Sequence, residues 1–127
     1  MENDAYILFK ATARCHGLFK KLARTLKEKP SVAGVTHCLD IYNLDSACRL
    51  EEFVDAELAD GKAISWRLEI TLTADAVMLE ADVREIHGMG QDLIANVAEC
   101  AYTTSADCAA GMPEVVERLT SFNPIGE

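Results

Sequence analysis

Apolar side chains fall on every second residue from Ile64 to Leu72 and again from Val77 to Val83. One flank of this stretch reads Ile64, Trp66, Leu68, Ile70, Leu72, then Val77, Leu79, Ala81, Val83. The other reads Ser65, Arg67, Glu69, Thr71, then Met78, Glu80, Asp82, Arg84. A period of two is the mark of a strand with one buried side. It predicts strands over 63–73 and 76–86, joined by a tight turn near Ala74-Asp75-Ala76. Residues 35–42, VTHCLDIY, are rich in β-branched and aromatic side chains and predict another strand. Val35, His37, Leu39 and Ile41 share one face of it, and Thr36, Cys38, Asp40 and Tyr42 the other; NLDS then breaks the run. Residues 46–60 fit two patterns. Leu50, Phe53, Val54 and Leu58 suit a helical stripe, whereas Val54, Ala56 and Leu58 suit a strand. The Asp60-Gly61 pair that follows is a type I′ hairpin signal ahead of a strand, which decides for a strand over 51–59.

The two ends of the chain change period. Leu8, Ala11, Cys15, Leu18, Leu22 and Leu26 recur at steps of three and four, which predicts a helix over 4–29 with Asp4 as its N-cap and Pro30 as its stop. Met112, Val115, Val116, Leu119 and Phe122 predict a second helix over 105–122, capped by Ser105, in which Pro113 must either kink the helix or start its second half. Between them, HGMGQ is expected to be a flexible loop leaving the last strand, and 92–102, where the pattern blurs, reads either as short strands or as a loop. The order helix, strands, helix gives a single α+β domain over 1–127. Its expected architecture is a four-stranded antiparallel meander with both helices packed on one face.

Charge is unevenly spread along this pattern. The chain of 127 residues carries a net charge of −9, but residues 1–30 are net +4 and the remainder net −13. An acidic body disfavours nucleic acid, whose phosphates need a basic surface. It favours a cationic partner, by complementarity and long-range steering. No apolar run approaches the roughly 20 residues of a membrane span. The first residues, MENDAYILFK, carry acids where a signal peptide would be basic. Five cysteines (15, 38, 48, 100 and 108) lack the spacing of a disulfide framework. A cytoplasmic protein without a membrane association is expected.

The polar flank of the strands holds the candidate chemistry. Asp55 and Glu57 alternate on one strand, Glu80 and Asp82 on another, and Glu69 lies between them. Five carboxylates on one sheet surface could bind a metal or act as an acid–base pair, or simply be solvated. An open, flat sheet face rarely makes an active site, so the sequence favours a protein-binding surface with these five as partner-binding residues. Gly88 and Gly90 do not make a dinucleotide fingerprint, because Leu93 stands where the third glycine belongs. Cys15-His16 and His37-Cys38 resemble ligand pairs. Adjacent residues diverge on a helix or strand, however, so neither pair chelates alone, and a site from His37, Cys38 and a distant residue would be required. No catalytic set, metal site or cofactor site is read from the sequence.

The segment DAELADGKAISWRLEITLTADAVMLEADVREIHGMGQDLI, followed by a polar stretch and a closing amphipathic helix, resembles a group of small bacterial immunity proteins. They are encoded beside contact-dependent or secreted polymorphic toxins, and share a DGK-ISW-LEI meander, a GQ-DL loop and a terminal helix. The resemblance spans about residues 50–122. It implies a non-enzymatic cytoplasmic protein that binds and neutralises one cognate toxin, and it carries over no contact residue. With the acidic face, the expected partner is a basic, nuclease-type toxin domain. Two other readings stand beside it: a small-ligand or metal-binding α+β domain, and a homo-oligomer paired through an edge strand.

Overall fold

The alternation of residues 63–87 is realised, in a computed structural model describing residues 3–44 and 47–126, as the third and fourth strands of a five-stranded antiparallel sheet. The elements run α1 (Asp4–Lys27), β1 (Val32–Leu44), β2 (Ala47–Leu58), β3 (Ala63–Thr73), β4 (Val77–His87), β5 (Gly90–Tyr102) and α2 (Ser105–Ser121). The strands lie in sequence order, each paired with its chain neighbour. The fold is therefore the expected α+β meander with five strands instead of four. Residues 47–58 are a strand, and the expected break at 43–46 falls partly on residues 45 and 46, outside the described ones.

β5 escaped the pattern for a structural reason. Its pairing with β4 slips twice: Ala81 faces Ala98 but Asp82 faces Asn96, and Val83 faces Ala95 but Arg84 faces Leu93. Val97 and Ile94 are thus extra residues in β5, each a bulge that reverses the alternation. The expected flexible loop is instead a two-residue turn, Gly88-Met89, with Gly88 at a φ of 55°. A left-handed φ at this point is what glycine supplies without strain.

The turn after β2 also departs from expectation. In a type I′ turn both central residues have positive φ. Here Gly61 has a φ of 89° and no described non-glycine residue is positive, so Asp60 lacks the positive φ that a type I′ turn needs. The connection is a longer one, Ala59–Lys62, closed by Leu58 N–H donating to the Lys62 carbonyl at 2.8 Å. The helix caps each lie one residue earlier than expected. Asn3 accepts from the amides of Ala5 and Tyr6, and Thr104 accepts from that of Asp107. Asp4 and Asp107 then sit in first turns, where a negative charge suits the helix dipole. α2 runs through Pro113.

Both helices pack on the same face of the sheet, α1 over β1 and β2, α2 over β3 to β5, and against each other. The core between the layers contains the inward flank expected from sequence, with Trp66, Val54, Leu79 and Val83 fully buried under Phe19, Met112, Val116 and Leu119. Each such aliphatic side chain contributes about 1.5–3 kcal/mol. The Trp66 indole N–H donates to the Phe122 carbonyl at 2.9 Å, so its polar edge is satisfied at the end of α2. No helix is long and apolar enough to cross a membrane among the described residues.

Candidate functional site

The opposite face of the sheet has no helix over it among the described residues. Strand register sets which side chains meet there, because residues directly opposite in an antiparallel pair point to the same side. Asp40 faces Glu51, Glu51 faces Glu69, Glu69 faces Glu80, and Glu80 faces Glu99. One carboxylate from every strand thus forms a continuous row across the sheet. Directly opposed like charges destabilise a sheet, so folding alone does not favour this row.

Three arginines partly offset it. Arg49 lies 3.4 Å from Glu69, and Arg67 lies 3.9 Å from both Glu69 and Asp82. Arg84 donates to both oxygens of Asp82, at 3.1 and 3.2 Å. Glu69 and Asp82 are therefore committed to internal pairs, and Asp82 is only 7% exposed. Glu80 and Glu57 are exposed. Burial raises the Glu51 carboxyl above its ordinary range, with Arg67 acting against this and Glu69 with it. Burial likewise raises Asp55, opposed by a hydrogen bond with Ser65 and aided by Glu57; its Oδ1 is buried without a hydrogen-bond partner.

All five residues expected to bind a partner (Asp55, Glu57, Glu69, Glu80 and Asp82) lie on this open face. Glu69, Glu80 and Asp82 are grouped at its centre, while Asp55 and Glu57 lie towards the Leu58 end of β2. Sequence reasoning missed Asp40, Glu51 and Glu99. Asp40 was visible on the polar flank of its strand, Glu51 needed the register, and Glu99 needed the unrecognised fifth strand. Apolar side chains flank the row. Tyr42 and Met78 stand on one side, and Leu93 on the other is 55% exposed. Cys38, on this face, hydrogen-bonds Asp40, which raises its thiol pKa.

A second polar group lies under α1. Glu52 is in phase with Val54 and Ala56, so its carboxylate points into the core, where its side chain is 0% exposed. Its Oε2 receives His16 Nδ1 from α1 at 2.5 Å and His37 Nε2 from β1 at 2.7 Å. The two imidazoles are stacked, with ring centroids 4.8 Å apart. An ionised carboxylate only accepts, so in that form each bond requires an N–H on the facing ring nitrogen. An isolated buried carboxylate would cost several kcal/mol; these two bonds offset part of that. Oε1 is left with no partner among the described residues. A site combining His37 with Cys38 and a distant residue does not form, because Cys38 faces the other side; the distant residues that meet His37 are His16 and Glu52. Chemically, the set supplies two imidazole nitrogens and a carboxylate.

The five cysteines are free thiols. Between the C-terminal parts of the two helices, a cleft of about 360 Å³ opens above Trp66 and is edged by Lys21, Lys29 and Glu117. No family model, curated protein or solved structure matches this chain.

Proposed function

We propose that this chain is a non-enzymatic immunity protein, which binds a basic toxin domain on its open sheet face and blocks that domain's substrate cleft. The observation that carries the reading is the row Asp40–Glu51–Glu69–Glu80–Glu99, with one carboxylate from each strand. Such a row is a standing repulsion in the free protein, and a cationic partner relieves it. The flanking Tyr42, Met78 and Leu93 supply the apolar contacts that a protein partner uses and a small ion does not. Toxins that cleave nucleic acids hold phosphate in a basic cleft. A carboxylate row inserted there excludes substrate by occupation and by charge. The likeness of residues 50–122 to immunity proteins of polymorphic toxin systems supports the same conclusion, as does the cytoplasmic setting it implies for five free thiols.

The test is co-purification with the product of the neighbouring reading frame, followed by a nuclease-protection assay. Glu80→Lys and Glu99→Lys, both at exposed positions, should each weaken the complex at least about tenfold, the effect of losing 1.4 kcal/mol. Retention of full affinity by the double variant would assign the interface elsewhere. A second reading, a small-ligand or metal-binding domain, is favoured by a single observation, the His16–Glu52–His37 cluster under α1.

A further inference from the structure

We propose that His16, His37 and Glu52 form a binding site for a divalent first-row transition ion, with zinc as the occupant the donor set favours. The site lies on the helix side of the sheet and does not depend on what binds the open face.

Three elements deliver the three ligands. α1 places His16 Nδ1, β1 places His37 Nε2, and β2 places Glu52 Oε2, with all three ligand atoms within 4.8 Å of one another. Two imidazoles and a carboxylate suit zinc and its neighbours in the series, whereas magnesium and calcium prefer oxygen alone. Ligands about 2.0–2.2 Å from a tetrahedral ion stand about 3.3 Å apart. The present N···O separations of 2.5 and 2.7 Å therefore have to open by less than about 1 Å, within reach of small side-chain rotations. Each imidazole would turn its lone pair to the ion and carry its proton on the far ring nitrogen, so neutral rings bind without net proton loss.

The second observation is Glu52 Oε1, an oxygen on a fully buried carboxylate with no partner among the described residues. Bidentate coordination by Glu52 gives it one. The His16 side chain is 32% exposed and that of His37 17% exposed, so an ion has a route in from the α1–β1 edge, and a water can complete a five-coordinate shell. Bound there, the ion fastens α1 to the two strands beneath it. A second trio, Glu85, His87 and Asp92 beside the β4–β5 turn, offers a single imidazole and is more exposed; it serves as the control.

The experiment titrates chelator-stripped full-length chain with cobalt chloride while recording visible absorption. Melting is then measured with zinc chloride and, separately, magnesium chloride. The expected result is one cobalt per chain, ligand-field bands without thiolate charge transfer, displacement by zinc, and a rise in Tm with zinc but not magnesium. His16→Ala and His37→Asn should each weaken binding more than about a hundredfold, beyond the effect of losing a supporting group around a metal, and His87→Ala should leave it unchanged. His16 is partly exposed on a helix, so its variant tests the site even if His37→Asn fails to fold. Absence of cobalt bands in the native chain would overturn the proposal. So would thiolate charge transfer, an equal response to magnesium, full binding by His16→Ala, or loss confined to His87→Ala.

Discussion

Glu52 shows how much one side chain's parity decides. It follows Glu51, yet Glu51 joins the acidic row outside and Glu52 enters the core. Because two imidazoles bond to it, Glu52→Gln should lower unfolding free energy by about 1.5–3 kcal/mol, the range for hydrogen bonds to a charged group, measured by urea denaturation. This inward carboxylate was readable from its phase with Val54 and Ala56, and His37 from its phase with Val35 and Leu39. What the sequence did not disclose was that His16 lies above both, since that depends on how α1 crosses the sheet. Cys108 behaves differently. It is fully buried, and burial followed by the charge of Cys100 raises its thiol to a pKa of about 11. Thiolate is the nucleophile, so Cys108 should resist iodoacetamide in the native protein at mildly alkaline pH and react once urea unfolds it. Peptide mass spectrometry checks this.

Among the elements, β3 was found to its exact ends because its alternation is unbroken, and β4 to within one residue at each end. β5 was hidden because the bulges at Ile94 and Val97 interrupt its phase. Glu99 joins the acidic surface, and Gly88-Met89 gains its role as a hairpin turn, only through this strand. The turn's demand on Gly88 is testable. Gly88→Val should destabilise the protein by about 1–2 kcal/mol, whereas Gly88→Asn, tolerated at left-handed φ, should stay within about 0.5 kcal/mol. Thermal melting of the two variants beside wild type distinguishes them. In α2, Pro113 lacks the amide that would bond back to Ala109, in a position open to solvent. Pro113→Ala should therefore raise stability, by up to about 3 kcal/mol if the helix is otherwise unchanged.

For the molecule as a whole, the acidic face sets the response to solvent. The Asp55 carboxyl titrates above its unfolded value, chiefly from burial, then Glu57, against a hydrogen bond with Ser65; Thr36 stands opposite it, and Arg84 lies beyond Ser65 in the same row. A raised acid favours the folded state most fully below its unfolded pKa and loses that contribution as pH rises through its folded pKa. Asp55 should thus stabilise the chain as neutral solution is acidified, and Asp55→Asn should flatten this part of the curve of Tm against pH. Relieving the row by Glu80→Gln should add about 0.2–1 kcal/mol at low ionic strength, and less in salt. The same change should weaken partner binding, the usual opposition between a stable surface and a working one.

The hydrogen bond from Trp66 to the Phe122 carbonyl has a consequence for synthesis. As the chain leaves the ribosome, α1 and each hairpin can form in turn, but the part of the sheet that α2 covers, from β3 to β5, lacks that cover until residues 105–122 emerge. During that interval a finished meander displays its greasiest surface to the cell. Early release or a stalled ribosome would leave an adhesive sheet rather than a shorter working protein.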